Sequence, residues 1–191
     1  KNLKEYTFDD LKIELKEFVT YYIPNNKNSD FPTSKFYELW ESIFYSQNYN
    51  MKNFAHKDFE FVNLFFLENC ESHLQCGIID FQSAFKGFIG WDLISLLENP
   101  RINFTRDYND KLIEYFYDNT SIIENFNTFL EQYYVLSLAR QTRLLGRWRK
   151  LHNTNNDNRY LDYLKITKSR TAVTLNNIKN HELRSIYEKY L

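Results

Sequence analysis

The spacing of apolar residues predicts amphipathic helices in the first part of the chain. Between residues 7 and 23, apolar side chains recur every three or four positions, which is the period of one helix face. Thr7 stands where a helix cap is expected, with Asp10 three positions later, as in a capping box. A polar, Asn-rich stretch from Pro24 to Pro32 predicts a loop. Helical spacing returns over Ser34–Tyr45, so a second helix is expected there.

The second half of the chain has the same helical period. One helix is expected over Trp91–Glu98 and another within residues 103–119. The other predicted helices are two within Ser121–Lys150 and three short ones over Tyr160–Leu164, Thr171–Ile178 and Glu182–Leu191. The pattern predicts a mainly α fold, with no internal repeat and no long linker.

Between these helical regions, the pattern changes to two short apolar runs. Leu64–Leu67 is bulky and continuously apolar, which predicts a short buried strand. A polar turn from Glu68 to His73 separates it from a second apolar strand, Leu74–Ile79. Two such runs joined by a turn predict a β-hairpin. The following residues, Phe81–Gly90, contain two glycines and predict a loop.

Three polar residues border this hairpin. Asp58 and Asn63 stand five positions apart before the first strand, and Asp80 follows the second. A carboxylate can orient a hydroxyl group and accept its proton. Carboxylate and amide oxygens are also the hard ligands that Mg²⁺ prefers. The arrangement therefore predicts phosphoryl transfer, with Asp58 as the catalytic carboxylate and with Asn63 and Asp80 as ligands for Mg²⁺ bound to ATP.

The spacing agrees with the protein-kinase template, in which H-R-D-x-x-x-x-N is followed by D-F-G. Here the sequence is H-K-D-F-E-F-V-N from His56 to Asn63, followed by D-F-Q from Asp80. Alternatives exist for each residue alone. His56 can be a structural histidine that supports the loop, and Asp58 and Asn63 can be turn formers, because both residue types favour loops.

Several stretches of the chain also resemble one enzyme superfamily. They are His56–Leu64, Gly77–Ala84 with Gly87, Trp91–Glu98 with Arg101, and Arg140–Leu151. These resemble the aminoglycoside phosphotransferase and choline kinase superfamily, and within it the bacterial kinases that phosphorylate the anomeric hydroxyl of N-acetylmuramate and N-acetylglucosamine in cell-wall recycling. The resemblance implies the C-terminal, catalytic lobe of a protein-kinase-like α+β fold. It also implies that Asp92 braces the catalytic loop by hydrogen bonds, although a role as helix cap is compatible.

A basic cluster in the third of these regions admits two interpretations. Arg140, Arg143 and Arg147 lie at nearly helical intervals and share one helix face. They can form a solvated face or ion pairs with neighbouring acids. Alternatively, Arg140 or Arg143 lines the acceptor pocket and binds an acidic sugar or a phosphate. Cationic acceptors such as aminoglycosides or choline need acidic pockets, so the basic face favours a sugar.

Composition limits the other possibilities. The 191 residues suffice for one domain, predicted as a single lobe over 1–191 with the catalytic loop and metal-binding hairpin in 54–92. Only four glycines are present, and none forms a phosphate-cradling loop, so the N-terminal ATP-binding lobe is predicted to be absent and this chain alone to be inactive. A non-catalytic kinase-like binding module is therefore the rival hypothesis.

Charge and cysteine content bear on partners and location. The net charge of −1 gives no electrostatic basis for binding nucleic acid or an anionic membrane. No signal peptide or membrane-length apolar run is visible, so a cytoplasmic protein is expected. Cys70 and Cys76 flank the predicted turn and are interpreted as free thiols. The expected partners are a nucleotide and a small-molecule acceptor.

Overall fold

The computed structural model of the chain describes residues 2–25, 30–102, 104–122 and 124–191. Its helices are α1 (Phe8–Glu17), α2 (Ile23–Asn25), α3 (Thr33–Ser46), α4 (Trp91–Leu97), α5 (Arg106–Asp118), α6 (Phe126–Asn155), α7 (Arg159–Leu175) and α8 (His181–Tyr190). Its strands are β1 (Asn53–Ala55), β2 (Leu64–Phe66), β3 (Cys76–Ile78) and β4 (Phe85–Gly87). The prediction of a mainly α fold with a small β-hairpin is confirmed.

The chain divides into two compact units. The first, here called the hairpin unit, comprises Lys1–Tyr6 and Asn50–Ile123. The second, the helical unit, comprises Thr7–Tyr49 and Glu124–Leu191. All four strands, α4 and α5 belong to the hairpin unit, whereas the other helices belong to the helical unit.

Two antiparallel pairs of strands organise the hairpin unit. β2 pairs with β3, with Leu64 opposite Ile78, so the predicted hairpin is confirmed, although its second strand begins at Cys76 because Ser72–Gln75 forms a 3₁₀ turn. β1 pairs with β4, which lies inside the stretch predicted as a loop, so that prediction is wrong for Phe85–Gly87. Three-residue strands are too short to show an apolar period, and β4 forms because β1 pairs with it on one side and Lys86 bonds to the backbone of Lys4 and Tyr6 on the other.

The prediction that the hairpin strands are buried is also wrong. Phe65 is 49% exposed, Phe66 71% and Ile78 46%. A two-stranded hairpin has two faces, and its apolar side chains are buried only where other layers cover both. The buried residues of this unit lie elsewhere and include an aromatic cluster, in which the Trp91 ring centroid lies 4.6 Å from that of Tyr6 and 4.9 Å from that of Phe85.

The helical unit is organised around α6. The sequence predicted two helices within Ser121–Lys150, but α6 is one helix of 30 residues that begins after the cap at Asn125. Its one glycine, Gly146, does not interrupt it. Gly146 is needed there because a β-carbon at this position would lie 2.2 Å from the carbonyl carbon of Glu17, at the end of α1. Small size at Gly146 thus allows the two backbones to touch.

The other predicted helices have mixed outcomes. The helix that begins after Thr7, with hydrogen bonds from the Thr7 amide and hydroxyl to Asp10, is confirmed. The predictions for α3, α4, α5 and α8 are confirmed within a few residues. The two short helices predicted between residues 160 and 178 form one helix, α7. Residues 26–29 of the predicted Pro24–Pro32 loop and Asn103 lie outside the described residues, and Pro24 belongs to α2.

Candidate functional site

The segment His56–Asn63, here called the anchor loop, leaves β1 and is held by α4. Asp92, in the first turn of α4, accepts hydrogen bonds from the backbone amides of His56 (2.8 Å) and Lys57 (3.1 Å). The Ser95 hydroxyl, one turn further along the helix, donates to the Lys57 carbonyl oxygen at 3.1 Å. Lys57 has a φ of 77°, a left-handed backbone that bulky residues adopt only where the surroundings enforce it.

The environment of Asp92 affects its protonation. Burial raises the pKa of the Asp92 carboxyl above its ordinary value, because a charge is costly in a poorly solvated position. The hydrogen bonds from His56 and Lys57 oppose this shift without cancelling it. The helix cap position is occupied by Gly90, so Asp92 lies just inside the helix rather than at its cap.

His56 joins the anchor loop to the second strand of the hairpin. Its side chain is 2% exposed, and Nε2 lies 2.9 Å from the carbonyl oxygen of Ile79. Because a carbonyl oxygen only accepts, Nε2 is the donor. Ile79 directly precedes Asp80, so the histidine connects the beginning of the anchor loop with the residue before that carboxylate.

Asp58 and Asn63 are linked directly. The side-chain amide Nδ2 of Asn63 donates to the backbone carbonyl of Asp58 at 2.8 Å, and the amide of Glu60 donates to the same carbonyl at 2.9 Å. The amide of Asn63 in turn donates to the Glu60 carbonyl. These bonds close the anchor loop on itself, with the Asp58 and Asn63 side chains at intermediate exposure.

Asp80 stands at the end of the same hairpin. The amide of Ile79 donates to the carbonyl of Asn63 at 3.1 Å, which continues the pairing of β2 with β3 by one residue. Asp80 follows with φ 71° and ψ 36°, a left-handed conformation that Asp adopts more readily than most residues, and it is exposed. The structure therefore brings Asp58, Asn63 and the residue before Asp80 into one hydrogen-bonded arrangement.

The donor set at this site suits a hard divalent cation. Because Asn63 uses Nδ2 for the bond to Asp58, its Oδ1 is the side-chain atom with metal-binding chemistry. Mg²⁺ is bound by few protein oxygens together with waters and phosphate oxygens. Within the described residues, no group of three or more His, Cys, Asp and Glu side chains is arranged to hold a metal. The roles of Asn63 and Asp80 as metal ligands therefore stay a prediction.

Arg140 and Arg143 lie in the helical unit, on α6. Arg140 is 5% exposed, and Arg143 Nη1 lies 3.8 Å from a carboxylate oxygen of Glu14. Further along, Arg147 and Lys150 both pair with Glu17, Arg147 at 3.1 Å. The basic face thus takes part in ion pairs with α1. An acceptor-binding role for Arg140 or Arg143 stays a prediction.

Two contacts of the anchor loop were not predicted. One is the bond from Ser95, and the other is an ion pair between Glu60 and Arg101. The signal for Ser95 was its position three residues after Asp92, which places both on one face of a helix. Nothing in the spacing of Glu60 and Arg101 signals their contact, because they are 41 positions apart. Cys70 and Cys76 are free thiols, as predicted.

Comparison with known proteins shows similarity to a curated kinase. No protein-family model matches the chain. The chain is 23% identical over 162 residues to an N-acetylmuramate/N-acetylglucosamine kinase of Caulobacter vibrioides. The match covers 83% of this chain and 44% of that protein, so the chain spans less than half the length of its relative. This distant similarity supports a kinase-like protein. Among the helices of the described residues, none has the length and apolarity needed to cross a membrane.

Proposed function

We propose that the protein containing this chain is an ATP-dependent phosphotransferase that phosphorylates a hydroxyl group of a small molecule. The observation that carries the proposal is the hydrogen bond from Asn63 to the Asp58 carbonyl, in a loop that also bonds to the residue before Asp80. This bonding connects the backbone of the proposed catalytic residue Asp58 with the two proposed metal ligands, Asn63 and Asp80. The similarity to a sugar kinase supports the same chemistry.

In this proposal, Asp58 is the catalytic carboxylate. It accepts a hydrogen bond from the acceptor hydroxyl and takes its proton as the oxygen attacks the γ-phosphorus of ATP. A new oxygen–phosphorus bond forms, the bond from the γ-phosphorus to the bridging oxygen breaks, and ADP leaves. Because this chemistry depends mainly on positioning, the hydrogen bonds that fix the anchor loop contribute directly to the rate.

Asn63 and Asp80 are proposed to hold Mg²⁺ bound to ATP. When bound, the ion neutralises phosphate charge and orients the transferring group. Asn63 Oδ1 and the Asp80 carboxylate supply hard oxygens, and the bond between the Asn63 carbonyl and the Ile79 amide keeps the two residues close. Asp80 is exposed, so a nucleotide can reach it.

The exposed apolar side chains of the hairpin support this site for ATP. Phe66 and Ile78 share one face of the hairpin and are 71% and 46% exposed, and Phe65, on the other face, is 49% exposed. We propose that a nucleotide base and an ATP-binding lobe cover exposed apolar side chains of the hairpin in the full-length protein. The chain alone is then expected to be a poor catalyst.

The acceptor is proposed to be an amino sugar, phosphorylated at its anomeric hydroxyl. The similarity to an N-acetylmuramate/N-acetylglucosamine kinase supports this choice of acceptor, and we propose cell-wall recycling as the process. The segment after Asp80 is short: it contains a 3₁₀ turn at Phe81–Ser83 and β4, and α4 begins at Trp91. A segment of this length offers little platform for a protein substrate, which favours a small molecule.

Release of ADP by the full-length protein, with Mg-ATP and one acceptor at a time, tests this proposal. N-acetylmuramate and N-acetylglucosamine are compared with an aminoglycoside and with choline. Release of ADP that depends on an amino sugar supports the proposal. Release that depends only on the aminoglycoside or choline assigns another acceptor within the same chemistry. ATP binding without release under any condition supports the non-catalytic binding module instead.

A further inference from the structure

One continuous segment of the hairpin unit, from α4 to the turn after it, contacts the anchor loop on both sides of Asp58. Before Asp58, Asp92 and Ser95 hold the backbone of residues 56 and 57. After Asp58, the guanidinium of Arg101 pairs with the carboxylate of Glu60. The catalytic carboxylate of the proposed site therefore lies between two attachments to the same element.

The second attachment is built on an ordered turn. The amide of Arg101 donates to the side-chain oxygen of Asn99 at 3.0 Å, and Asn99 is 2% exposed. The amide of Ile102 donates to the Asn99 carbonyl at 3.1 Å. The Glu60 side chain is 16% exposed and the Arg101 side chain 38%, so the carboxylate is the better shielded partner.

We propose that Arg101 and Glu60 are positioning residues for Asp58, an inference that rests on the proposed function. The Glu60 amide donates to the Asp58 carbonyl, so the Glu60 backbone is bonded to that of Asp58 and its side chain is fixed by Arg101. The ion pair thereby prevents the outer half of the anchor loop from shifting. A displacement of about 1 Å in a catalytic group can lower a rate by about 100-fold.

Because both side chains of the Glu60–Arg101 pair are partly exposed, a positioning role can be distinguished from a contribution to global stability. Ion pairs between partly exposed side chains contribute little to global stability, because water and salt screen them. Loss of the pair is therefore expected to lower turnover far more than it lowers the free energy of unfolding. It leaves KM for ATP unchanged, because neither residue belongs to the proposed metal site.

Four variants of the full-length protein test the proposal. They are Arg101→Ala, Glu60→Arg, the reversed pair Glu60→Arg with Arg101→Glu, and the control Arg184→Ala. Arg184 is 30% exposed and forms an ion pair with Glu188 at 3.7 Å within one helix, so it matches Arg101 in residue type and partial exposure. We expect kcat of Arg101→Ala to fall by about 10- to 100-fold with KM for ATP unchanged. We also expect the reversed pair to recover part of the loss seen with Glu60→Arg, and Arg184→Ala to match wild type.

Wild-type kcat in Arg101→Ala, or no recovery in the reversed pair, would overturn the inference while leaving the proposed function intact. If wild type itself transfers no phosphoryl group, the proposed function fails, and a second measurement still decides the positioning role. Hydrogen–deuterium exchange over residues 56–63 is expected to be faster in Arg101→Ala than in wild type or Arg184→Ala. Equal exchange in all three proteins would contradict the positioning role of Arg101.

Discussion

Asp92 Oδ1 accepts a hydrogen bond from the amide of Lys57, a residue whose backbone is left-handed, with a φ of 77°. A left-handed non-glycine residue costs about 1–3 kcal/mol and persists only where its surroundings hold it. Asp92 provides that support from inside α4, and Ser95 adds a bond to the carbonyl of the same residue. The strain at Lys57 and the proposed catalytic Asp58 are therefore adjacent and share one source of support.

Replacement of Asp92 by Asn is expected to weaken this support. The carboxylate accepts two backbone amides through its two oxygens, whereas an Asn side chain has only one oxygen and would face a donor with its NH₂ group. We expect the free energy of unfolding at pH 7 to fall by about 1–3 kcal/mol, the cost of an unsatisfied donor. Denaturant unfolding followed by circular dichroism measures it. An unchanged unfolding midpoint would contradict the supporting role.

We also expect the effect of Asp92→Asn on the free energy of unfolding to depend on pH. Because burial raises the pKa of Asp92 in the folded protein, the folded state binds a proton more tightly than the unfolded state. The part of the stability that is linked to this proton is complete below the ordinary pKa of 3.8 and is lost as pH rises through the raised value, whereas the hydrogen bonds from the two amides persist at pH 7. The stability difference between wild type and Asp92→Asn should therefore shrink as pH increases over this window.

Asp157 provides a control whose pKa is lowered instead of raised. Its hydrogen bonds with Arg159 lower its pKa, so its contribution to stability is present above the ordinary value of 3.8 and is lost as pH falls through the lowered value. The stability difference between wild type and Asp157→Asn should not shrink as pH increases. The same trend in both variants would show that the pH dependence does not arise from burial of Asp92.

Asp80→Asn tests the proposed metal ligand. The change removes the negative charge that attracts Mg²⁺ and keeps the size of the side chain, which is exposed and at the end of the hairpin. Isothermal titration calorimetry of the full-length protein with ATP, with and without Mg²⁺, should show binding that Mg²⁺ strengthens in wild type and not in the variant. An equal effect of Mg²⁺ in both proteins would remove Asp80 from the site.

Gly146→Ala tests the close approach of α6 to the end of α1. The new β-carbon would lie 2.2 Å from the Glu17 carbonyl carbon, so the backbones must separate, at a cost of about 1–3 kcal/mol in the free energy of unfolding. Gly77→Ala is the matched control, because its β-carbon meets only the Leu67 side chain, at 3.3 Å. Thermal unfolding should show a lower Tm for Gly146→Ala alone. Equal decreases in Tm for the two variants would mean that the close approach of Gly146 to Glu17 does not cause the loss of stability.

Local patterns explain which parts of the fold could be predicted. The β2–β3 hairpin follows from two apolar runs around a polar turn, and the helices follow from their period and from the cap at Thr7. The β1–β4 pair escaped prediction because each strand has three residues and its partner lies about 30 positions away. The exposure of Phe66 escaped for a related reason, since burial depends on neighbouring layers and not on the side chain itself.

Some residues of the candidate site could likewise be predicted from the sequence, and others could not. Asp58, Asn63 and Asp80 could be selected because their chemistry and spacing are visible in one short stretch, and the structure joins the anchor loop to the hairpin by the bond between Asn63 and Ile79. Glu60 and Arg101 could not be selected, because either residue alone resembles an ordinary surface charge. Only the fold of α4 and its following turn brings them into contact.

Phosphorus NMR of the products formed by the full-length protein shows whether Asp58 takes part in phosphoryl transfer. Wild type, Asp58→Asn and the exposed control Asp118→Asn are each incubated with Mg-ATP and N-acetylmuramate or N-acetylglucosamine. We expect an α-1-phosphate from wild type and Asp118→Asn, and none from Asp58→Asn, which still binds ATP. A sugar phosphate formed at the wild-type rate by Asp58→Asn would contradict the catalytic role of Asp58. No phosphorylated product from wild type with either sugar would contradict the proposed amino-sugar kinase.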